Sequence, residues 1–326
     1  RREESRGWQA WRAGGLAVVL IMSVIAGATV SVGGQPPPAA VEPTGERLSG
    51  ASQFVDVRAS DLPGSGTPQN PYQISNVSEL QAMEDDLDAS YVLVSDIDAS
   101  QTAQLSGERG FAPVGPSIDN QFTGSLDGNS HSITGLTIDR PSGTGVGLFG
   151  FVENATLRNI VLNDVTIVGA ERVGGVAGNK IEGTIQNTSV SGSVTGDEIV
   201  GGVVASNNGG AVRNISASGT VNGSNGNVGG LIGQSRGEVV TASASVAVTG
   251  GPQVGGLVGV NQGTIRNASA SGSVTGTGAD DVGGLVGDNQ GILRNAGASG
   301  RVSGAEDVGG LAGDNDGTIR DVTASG

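Results

Sequence analysis

Cysteine is absent from the 326 residues of this chain, and aromatic residues make up only 3% of them. Without cysteine, neither disulfide bonds nor thiolate metal sites can contribute. So few aromatic rings argue against a globular core built on large side chains. Small aliphatic side chains and the backbone itself therefore have to hold any fold together.

Positive charge is also scarce. Lys180 is the one lysine, beside 16 arginines, and the formal net charge is −15. An acidic surface repels phosphate backbones, which argues against nucleic acid as a partner. The acidic, lysine-poor composition is typical of proteins from salt-loving microbes, whose carboxylates keep the surface hydrated. A calcium-binding surface is the alternative interpretation.

Glycine, by contrast, is abundant, with 59 residues. Such a composition is compatible with disorder, but here the glycines recur at a fixed spacing. Self-similarity of this period predicts a solenoid or a propeller, in which each repeat packs on its neighbours. The phrase Val-Gly-Gly-Val/Leu begins at Val173, Val200, Val228, Val254, Val282 and Val308, in steps of 27, 28, 26, 28 and 26 residues.

The first 69 residues predict a membrane-directed leader and a spacer. A basic segment at 1–12 precedes an uncharged apolar run at 13–32, which is long enough to cross a bilayer as a helix. The basic residues place the amino end in the cytoplasm and the rest outside. Ala26-Gly27-Ala28 is a small-residue cleavage site, so a signal peptide and a retained anchor are both open. Residues 33–69 are rich in Pro, Ser and Gly and predict an extended spacer.

Residues 70–120 predict an N-terminal cap consisting of a short helix and strands. Asn76 and Glu79 have the spacing of an N-cap and its capping box. Val77, Leu80, Met83 and Leu87 then mark one face of a helix of about three turns. Such an amphipathic helix would cover the first exposed rung of a solenoid.

Residues 121–326 predict a parallel β-helix with about 26–28 residues per coil, which we expect to be right-handed. In the repeat that begins at Val254, the short apolar pieces are Leu257-Val258, Thr264-Ile265-Arg266 and Ser273-Val274-Thr275, separated by turn residues. Pieces this short, rich in Val, Ile and Thr, favour strands over helices. A propeller is the rival, but propeller blades are longer and carry aromatic signatures.

Several phrases resemble proteins that carry GLUG repeats. They are Tyr91-Val92-Leu93, the run from Phe122 to Asn129, Gly147-Leu148-Phe149-Gly150 and the Val-Gly-Gly-Leu repeats, over roughly Pro71 to Gly326. The resemblance implies a secreted or surface-exposed array, commonly a parallel β-helix, with no catalytic residues in the motif. The array stops partway through a repeat, and we expect more coils or a capping domain after Gly326.

A column of asparagines predicts an Asn ladder, in which each amide bonds to the next coil. Three of its members also lie in Asn-x-Ser/Thr sequons, so glycosylation is the competing interpretation. We favour the ladder, because a buried amide would be inaccessible. Asn154 and Asn222 are sequons off the ladder and are the better glycosylation candidates. The ladder positions are Asn187, Asn214, Thr241, Asn267, Asn295 and Asp321.

Charged residues form further columns, which we interpret as outward strand faces, although an anionic polysaccharide could bind them. Asp314-Asn315-Asp316-Gly317 resembles the start of a calcium loop but lacks the downstream Glu, so it predicts a polar turn. The basic column is Arg158, Arg213, Arg266, Arg294 and Arg320, and the acids before the Val-Gly-Gly phrase include Asp280, Asp281, Glu306 and Asp307.

No catalytic, metal-binding or cofactor-binding residues stand out, so we expect a non-catalytic extracellular scaffold or adhesin, secreted or membrane-anchored through residues 13–32. Its partners would be extracellular polysaccharide or protein. Two alternatives stay open: a polysaccharide-degrading β-helix enzyme using Asp127 and Asp139, or a passive stalk for a further domain. His131, the only histidine, and Lys180 both lie in segments that look like turns.

Overall fold

The computed structural model describes residues 57–105, 110–278 and 281–326. Within these residues the strands form three sheets, one with sixteen strands and two with seven. Neighbouring strands pair in parallel, and each pairs with the strand one repeat further along the chain. The chain is therefore an all-β parallel solenoid, as the repeat spacing predicts.

The two seven-stranded sheets come from the repeated phrase and from the residues that follow it. The Val-Gly sheet contains Thr144–Val146, Glu171–Gly174, Val200–Gly201, Asn227–Gly229, Gln253–Gly255, Asp281–Gly283 and Val308–Gly309. The second sheet contains Phe149–Val152, Ala177–Lys180, Val204–Asn207, Ile232–Ser235, Val258–Asn261, Val286–Asn289 and Ala312–Asn315.

The sixteen-stranded sheet, called here the long sheet, occupies the remaining side of each coil. Its strands are Tyr72–Ile74, Ser90–Leu93, Ile97–Asp98, Ser125–Asp127, Ser132–Thr134, Thr137–Asp139, Thr156–Arg158, Val161–Val168, Thr184–Gly196, Ala211–Gly223, Glu238–Gly250, Thr264–Ala270, Val274–Gly276, Ile292–Ala298, Val302–Ser303 and Thr318–Ala324. The parallel pairing thus already includes Tyr72–Ile74.

One coil shows where the expected strands differ from the observed ones. The phrase at Val254 forms a strand of its own, Gln253–Gly255, and Leu257 lies in the bend after it. The strand Thr264–Ala270 continues through Asn267, where the sequence predicts a turn between strands. A single left-handed residue at Asn267, with φ of 55°, bends the chain without ending the strand.

The paired glycines are required for close approach rather than for positive φ. A Cβ built on Gly284 would lie 2.2 Å from the carbonyl oxygen of Gly310 in the next coil. A Cβ on Gly256 would meet the oxygen of Gly284 at the same distance, 2.2 Å. Neither glycine has a positive φ. Close approach to the next coil, rather than positive φ, is therefore the physical reason for the recurrence of this pair.

The core changes character along the axis. In the repeats it is a stack of small aliphatic residues, such as Val228, Val254 and Val282, each fully buried. The aromatic residues that the structure describes all lie between Tyr72 and Phe151. Four of them form a continuous stack, with ring centroids 5.6, 6.3 and 4.8 Å apart, in the order Tyr72, Tyr91, Phe122 and Phe149.

The predicted capping helix is present but shorter than three turns: the α-helix covers Val77–Gln81, a 3₁₀ turn follows at Ala82–Asp85, and Leu87 lies beyond both. The Asn76 side chain accepts hydrogen bonds from the backbone N–H groups of Ser78 (3.0 Å) and Glu79 (3.1 Å). The Glu79 carboxylate reaches back to Ser75 N at 2.6 Å, one residue earlier than the expected capping box. Val77, Leu80 and Met83 are buried.

Among the described residues no helix is long and apolar enough to cross a membrane. The basic segment 1–12, the apolar run 13–32 and most of the spacer 33–69 lie outside the described residues. The division between a cap at 70–120 and repeats at 121–326 stays a prediction.

Candidate functional site

The most distinctive outer feature is a bend repeated once per coil in the long sheet. The residue at each bend has a positive φ between 48° and 55°, in the left-handed region. Asparagine and aspartate tolerate this conformation better than other non-glycine residues, because their short polar side chains bond locally. The bend residues are Asn159, Asn187, Asn214, Thr241, Asn267, Asn295 and Asp321.

The asparagines at these bends form the predicted ladder. Asn187 Nδ2 donates to Asn159 Oδ1 at 3.0 Å, and Asn214 Nδ2 donates to Asn187 Oδ1 at 2.9 Å. Asn295 Nδ2 likewise donates to Asn267 Oδ1 at 2.7 Å. Each bond runs in the same direction, with the later residue donating to the earlier one. We call this column the outer ladder.

The outer ladder is exposed, contrary to the expectation of buried amides. Asn187, Asn214, Asn267 and Asn295 all lie on the solvent side of the bend. At bends such as Asn267 the arginine before the bend residue is also exposed and only the residue after it is buried, so two successive side chains face solvent, which the aliphatic spacing alone does not reveal. Burial therefore cannot protect the three sequons in the ladder from modification.

Thr241 interrupts the outer ladder. Its φ of 55° matches the other bends, but its hydroxyl makes no hydrogen bond within the described residues. Asn214 Oδ1 consequently receives no donor from the next coil, and Asn267 Nδ2 finds no acceptor in the previous one. Asn214 Oδ1 and Asn267 Nδ2 thus lie on either side of the coil that contains Thr241, each without a partner in the outer ladder.

A shallow groove of ≈ 450 Å³ lies on the outer surface beside the bends, with Thr241 in its middle. None of its lining residues is charged, and polar and apolar surface contribute about equally. The floor is formed by inward neighbours such as Ile215 and Ala242, and the edge opposite the ladder by a column of serines. The lining residues are Asn187, Thr188, Ser189, Asn214, Ile215, Ser216, Thr241, Ala242, Ser243, Asn267 and Ser269.

The arginine column is confirmed by the strand register. Arg266 pairs with Arg294, and Arg294 with Arg320, at successive coils. The Glu238 carboxylate forms ion pairs with two arginines of the column, Arg213 at 2.6 Å and Arg266 at 2.5 Å. These ion pairs are half-exposed and are worth at most about 1 kcal/mol each. The column is an outward strand face, as interpreted from the sequence.

Asp127 contacts the first member of the arginine column, Arg158, and the first member of the outer ladder, Asn159. Its carboxylate lies 2.8 Å from Arg158 Nη2 and accepts from Asn159 Nδ2 at 2.8 Å and from the backbone of Asn129 at 2.9 Å. Burial raises the pKa of Asp127, but these hydrogen bonds and the charge of Arg158 outweigh burial and lower the pKa overall. Asp139, the other carboxylate considered for catalysis, is exposed on a different strand.

A second polar column lies inside the solenoid, where sequence reasoning predicted only turns. Asn261 Nδ2 donates to Asn289 Oδ1 at 2.7 Å, and Asn289 Nδ2 to Asn315 Oδ1 at 2.6 Å. We call this column the inner ladder. A polar residue recurs three positions after the first residue of each strand of the second sheet from Ala177–Lys180 onward, and this recurrence in the sequence could have revealed the inner ladder. Its members are Lys180, Asn207, Ser235, Asn261, Asn289 and Asn315, in register at successive coils.

Lys180 occupies the first position of the inner ladder, in a strand rather than a turn. It is 1% exposed, and its ammonium donates to Asn207 Oδ1 at 3.0 Å and to the carbonyl oxygen of Gly209. Burial lowers the pKa of Lys180 to about 8, and the charge of Glu182 only partly opposes that effect. The inner ladder thus solvates a charge that water cannot reach.

The remaining predicted sites are dispersed. Asp281 and Asp288 have raised pKa values, chiefly because of burial and with a contribution from Asp314. Asp314 and Asn315 lie in a strand, and Asn315 belongs to the inner ladder, so the calcium-like phrase is only partly a turn. Among the described residues, no group of three or more His, Cys, Asp or Glu side chains could hold a metal ion. Asp280 lies outside the described residues.

Both glycosylation candidates are accessible. Asn154 is exposed, with a positive φ of 54°, and Asn222 is half-buried beside Thr195 and Thr249. Their modification stays a prediction. His131 lies in a turn, as predicted, with Nδ1 3.6 Å from Asp96 Oδ1.

Comparison with known proteins places this geometry in a motif family. Residues 250–275, which hold one bend of the outer ladder, match the GLUG motif. The chain carries the GLUG motif. Residues 69–192 also match the N-terminal region of the M26 IgA1-specific metallo-endopeptidases. The GLUG phrase supplies the Val-Gly sheet and the second sheet of each coil, and the predicted resemblance is confirmed.

Two relatives match part of the chain. Halomucin of Haloquadratum walsbyi is 42% identical over 140 residues, 40% of this chain and 2% of halomucin. A Gly-rich membrane protein of Evansella cellulosilytica is 40% identical over 134 residues, 39% of this chain and 15% of that protein. The chain therefore spans only a small part of the curated relatives that it matches.

Solved structures share the fold. An immunoglobulin A1 protease-like protein of Bacteroides ovatus superposes with a TM-score of 0.58 at 21% identity, over 80% of this chain and 86% of that one. An IgA1 protease superposes with a TM-score of 0.56 at 19% identity, over 76% of this chain and 21% of that one. At these identities the likeness concerns the fold alone.

Proposed function

We propose that this chain is a non-catalytic scaffold or adhesin segment that displays a rigid GLUG β-helix outside the cell. One observation carries the proposal. The strands remain in register from coil to coil in all three sheets, so that similar side chains recur along outer columns. At roughly 4.8 Å per coil, the seven-stranded sheets extend roughly 30 Å.

Surface location is supported by composition and by the relatives. A formal net charge of −15 keeps an exposed rod hydrated and discourages self-association. The two relatives are a halomucin and a membrane protein, and each matches about two fifths of this chain. Membrane attachment or secretion would depend on residues 13–32.

The placement of the carboxylates favours a non-catalytic role. Asp127 is held by Arg158, Asn159 and the backbone of Asn129, and its lowered pKa makes it a poor proton donor near neutral pH. Asp139 lies in the strand Thr137–Asp139 and lines none of the same groove as Asp127. Neither residue fits the paired acid and base of a glycoside hydrolase.

Surface display can be tested by single-cysteine labelling, because the natural chain has no cysteine. Glu306→Cys places a thiol at an exposed loop, and Ala244→Cys places one at a residue only 2% exposed. In intact cells that express the full-length protein, a membrane-impermeant maleimide should label Glu306→Cys and leave Ala244→Cys unlabelled until the protein is denatured. Labelling of Glu306→Cys only after cell lysis would disprove surface display.

The non-catalytic role needs a separate assay. Purified protein should release no reducing ends or unsaturated products from acidic or neutral polysaccharides. Turnover that disappears in Asp127→Asn or Asp139→Asn would contradict the scaffold and establish the enzyme alternative.

A spacer is the second candidate, favoured by the match to the N-terminal region of a larger endopeptidase. A truncation series measured for cell or matrix binding separates the two. Binding that persists with residues 57–326 alone supports an adhesin, whereas binding that requires sequence beyond this segment supports a spacer.

A further inference from the structure

The interruption of the outer ladder at Thr241 creates unused hydrogen-bonding capacity in a defined place. Every ladder bond runs from the later Nδ2 to the earlier Oδ1. The missing carboxamide would have donated to Asn214 Oδ1 and accepted from Asn267 Nδ2. Both atoms belong to exposed side chains that line the same groove. The gap therefore presents one acceptor and one donor to solvent, two coils apart.

Thr241 is also an unexpected residue for this backbone. A β-branched side chain at a φ of 55° is a genuine outlier, whereas the neighbouring bends use Asn or Asp. Strain of this kind persists where the surrounding structure over-determines the backbone, and it clusters at functional positions. The repeat thus departs from its own pattern at the coil in the middle of the groove.

The groove's chemistry fits an uncharged polyhydroxylated ligand. Ser216, Ser243 and Ser269 supply hydroxyl groups along its edge, and none of the lining residues is charged. The nearest arginines of the column, Arg213 and Arg266, are already paired with Glu238. A pair of adjacent sugar hydroxyls can donate in one direction and accept in the other, which reproduces what the missing carboxamide would do.

We propose that the groove at Thr241 is a binding site for a neutral carbohydrate chain, with adjacent hydroxyls seated between Asn214 and Asn267. This proposal specifies the ligand class of the adhesin proposed above. It rests on the proposed adhesin function only for the biological role of the groove. Sugar lying along the solenoid axis would meet the serine hydroxyls at successive coils. Binding would be weak for a single site, because the groove is open to water.

The test uses the whole chain, labelled with ¹⁵N, and the side-chain amide signals of asparagine. Titration with maltohexaose, and separately with mannohexaose, should shift the Asn214 and Asn267 signals in a saturable way for at least one sugar. Thr241→Asn completes the outer ladder and should weaken that binding at least ten-fold while the fold is retained. Thr220→Asn makes the same replacement at an exposed position of the same sheet outside the groove; it is the matched control and should bind like the natural chain.

Three results would overturn the proposal. The first is the absence of saturable shifts with both sugars. The second is equal binding by Thr241→Asn, which would place the sugar elsewhere. The third is binding of oligogalacturonate but of neither neutral sugar, which would assign the surface to the arginine column. None of these results bears on cell-surface labelling of Glu306→Cys, so the two proposals can fail independently.

Discussion

At the residue scale, the bends of the long sheet show how one amide can serve two purposes. An asparagine there accepts a left-handed backbone at small cost and links its coil to the previous one. The spacing of Asn187 and Asn214 after inward aliphatic residues is enough to predict the ladder. It does not predict that the ladder is exposed, because the outward direction depends on the φ of the bend residue.

Thr241→Asn should stabilise the protein. The substitution replaces a β-branched residue at positive φ and adds hydrogen bonds to Asn214 and Asn267, so we expect a gain of about 1–2 kcal/mol. Hydrogen exchange of the amides in the flanking strands Ala211–Gly223 and Thr264–Ala270 would measure it locally. The reverse change, Asn187→Thr, should accelerate exchange in its own coil. Faster exchange in Thr241→Asn would contradict the role assigned to the ladder gap.

Lys180 is a buried charge in a column that otherwise consists of neutral residues. Its pKa of about 8 in the folded protein lies below the usual 10.5. Between these two values the unfolded chain binds more protons than the folded one, so raising the pH through this window increases stability. Below pH 8 the cost of burying the charge is present in full, about 3 kcal/mol.

Lys180→Asn should therefore be more stable than the natural chain at pH 7, because an asparagine continues the inner ladder to Asn207 without a charge. The difference should shrink as the pH rises from 8 to 10.5, and denaturation in paired buffers would measure it. Lys180→Arg, which keeps the charge, serves as the control and should lose stability throughout. A difference independent of pH would mean that Lys180 is not buried as a cation.

At the scale of the strand and its corner, the Val-Gly-Gly phrase recurs because no side chain fits at its second glycine. The sequence period identifies the phrase but not its mechanism, because a glycine may be needed for its φ or for its lack of a side chain. Gly256 has an ordinary φ, and a Cβ on it would clash with the backbone of the next coil. Only the distances between stacked coils in the structure separate these two reasons.

Gly256→Ala should disrupt the stacking of its coil on the next one. The new Cβ would lie 2.2 Å from the oxygen of Gly284, and backbone cannot move aside as a flexible side chain can. We expect a loss of several kcal/mol, comparable to overpacking a core. Gly297→Ala is the matched control, because its nearest contact is the Thr323 hydroxyl at 2.9 Å, which can rotate away. Thermal melting followed by circular dichroism should separate the two variants clearly.

The whole molecule behaves as a stack in which each coil depends on its neighbours. The repeat period and the aliphatic spacing predict the solenoid, because one coil cannot bury enough surface to fold alone. The inner ladder is missed when each repeat is considered alone, because Asn261-Gln262-Gly263 has the local composition of a turn. Aligning the repeats places Lys180, Asn207 and Asn261 in one column. The aromatic stack from Tyr72 to Phe149 is missed because its members are distant in sequence.

Deletion of one complete coil should preserve the fold. Removing residues 254–281 brings Val282 to the position of Val254, so the register of all three sheets and both ladders can be re-formed. In a one-dimensional stack the loss is one coil and one interface, so the midpoint of denaturation should fall moderately while the spectrum per residue is unchanged. Removing residues 254–267 instead leaves half a coil, places inward positions outside, and should abolish cooperative unfolding. If the two deletions behave alike, the coils do not fold as stacked units and the straight outer columns cannot persist in solution.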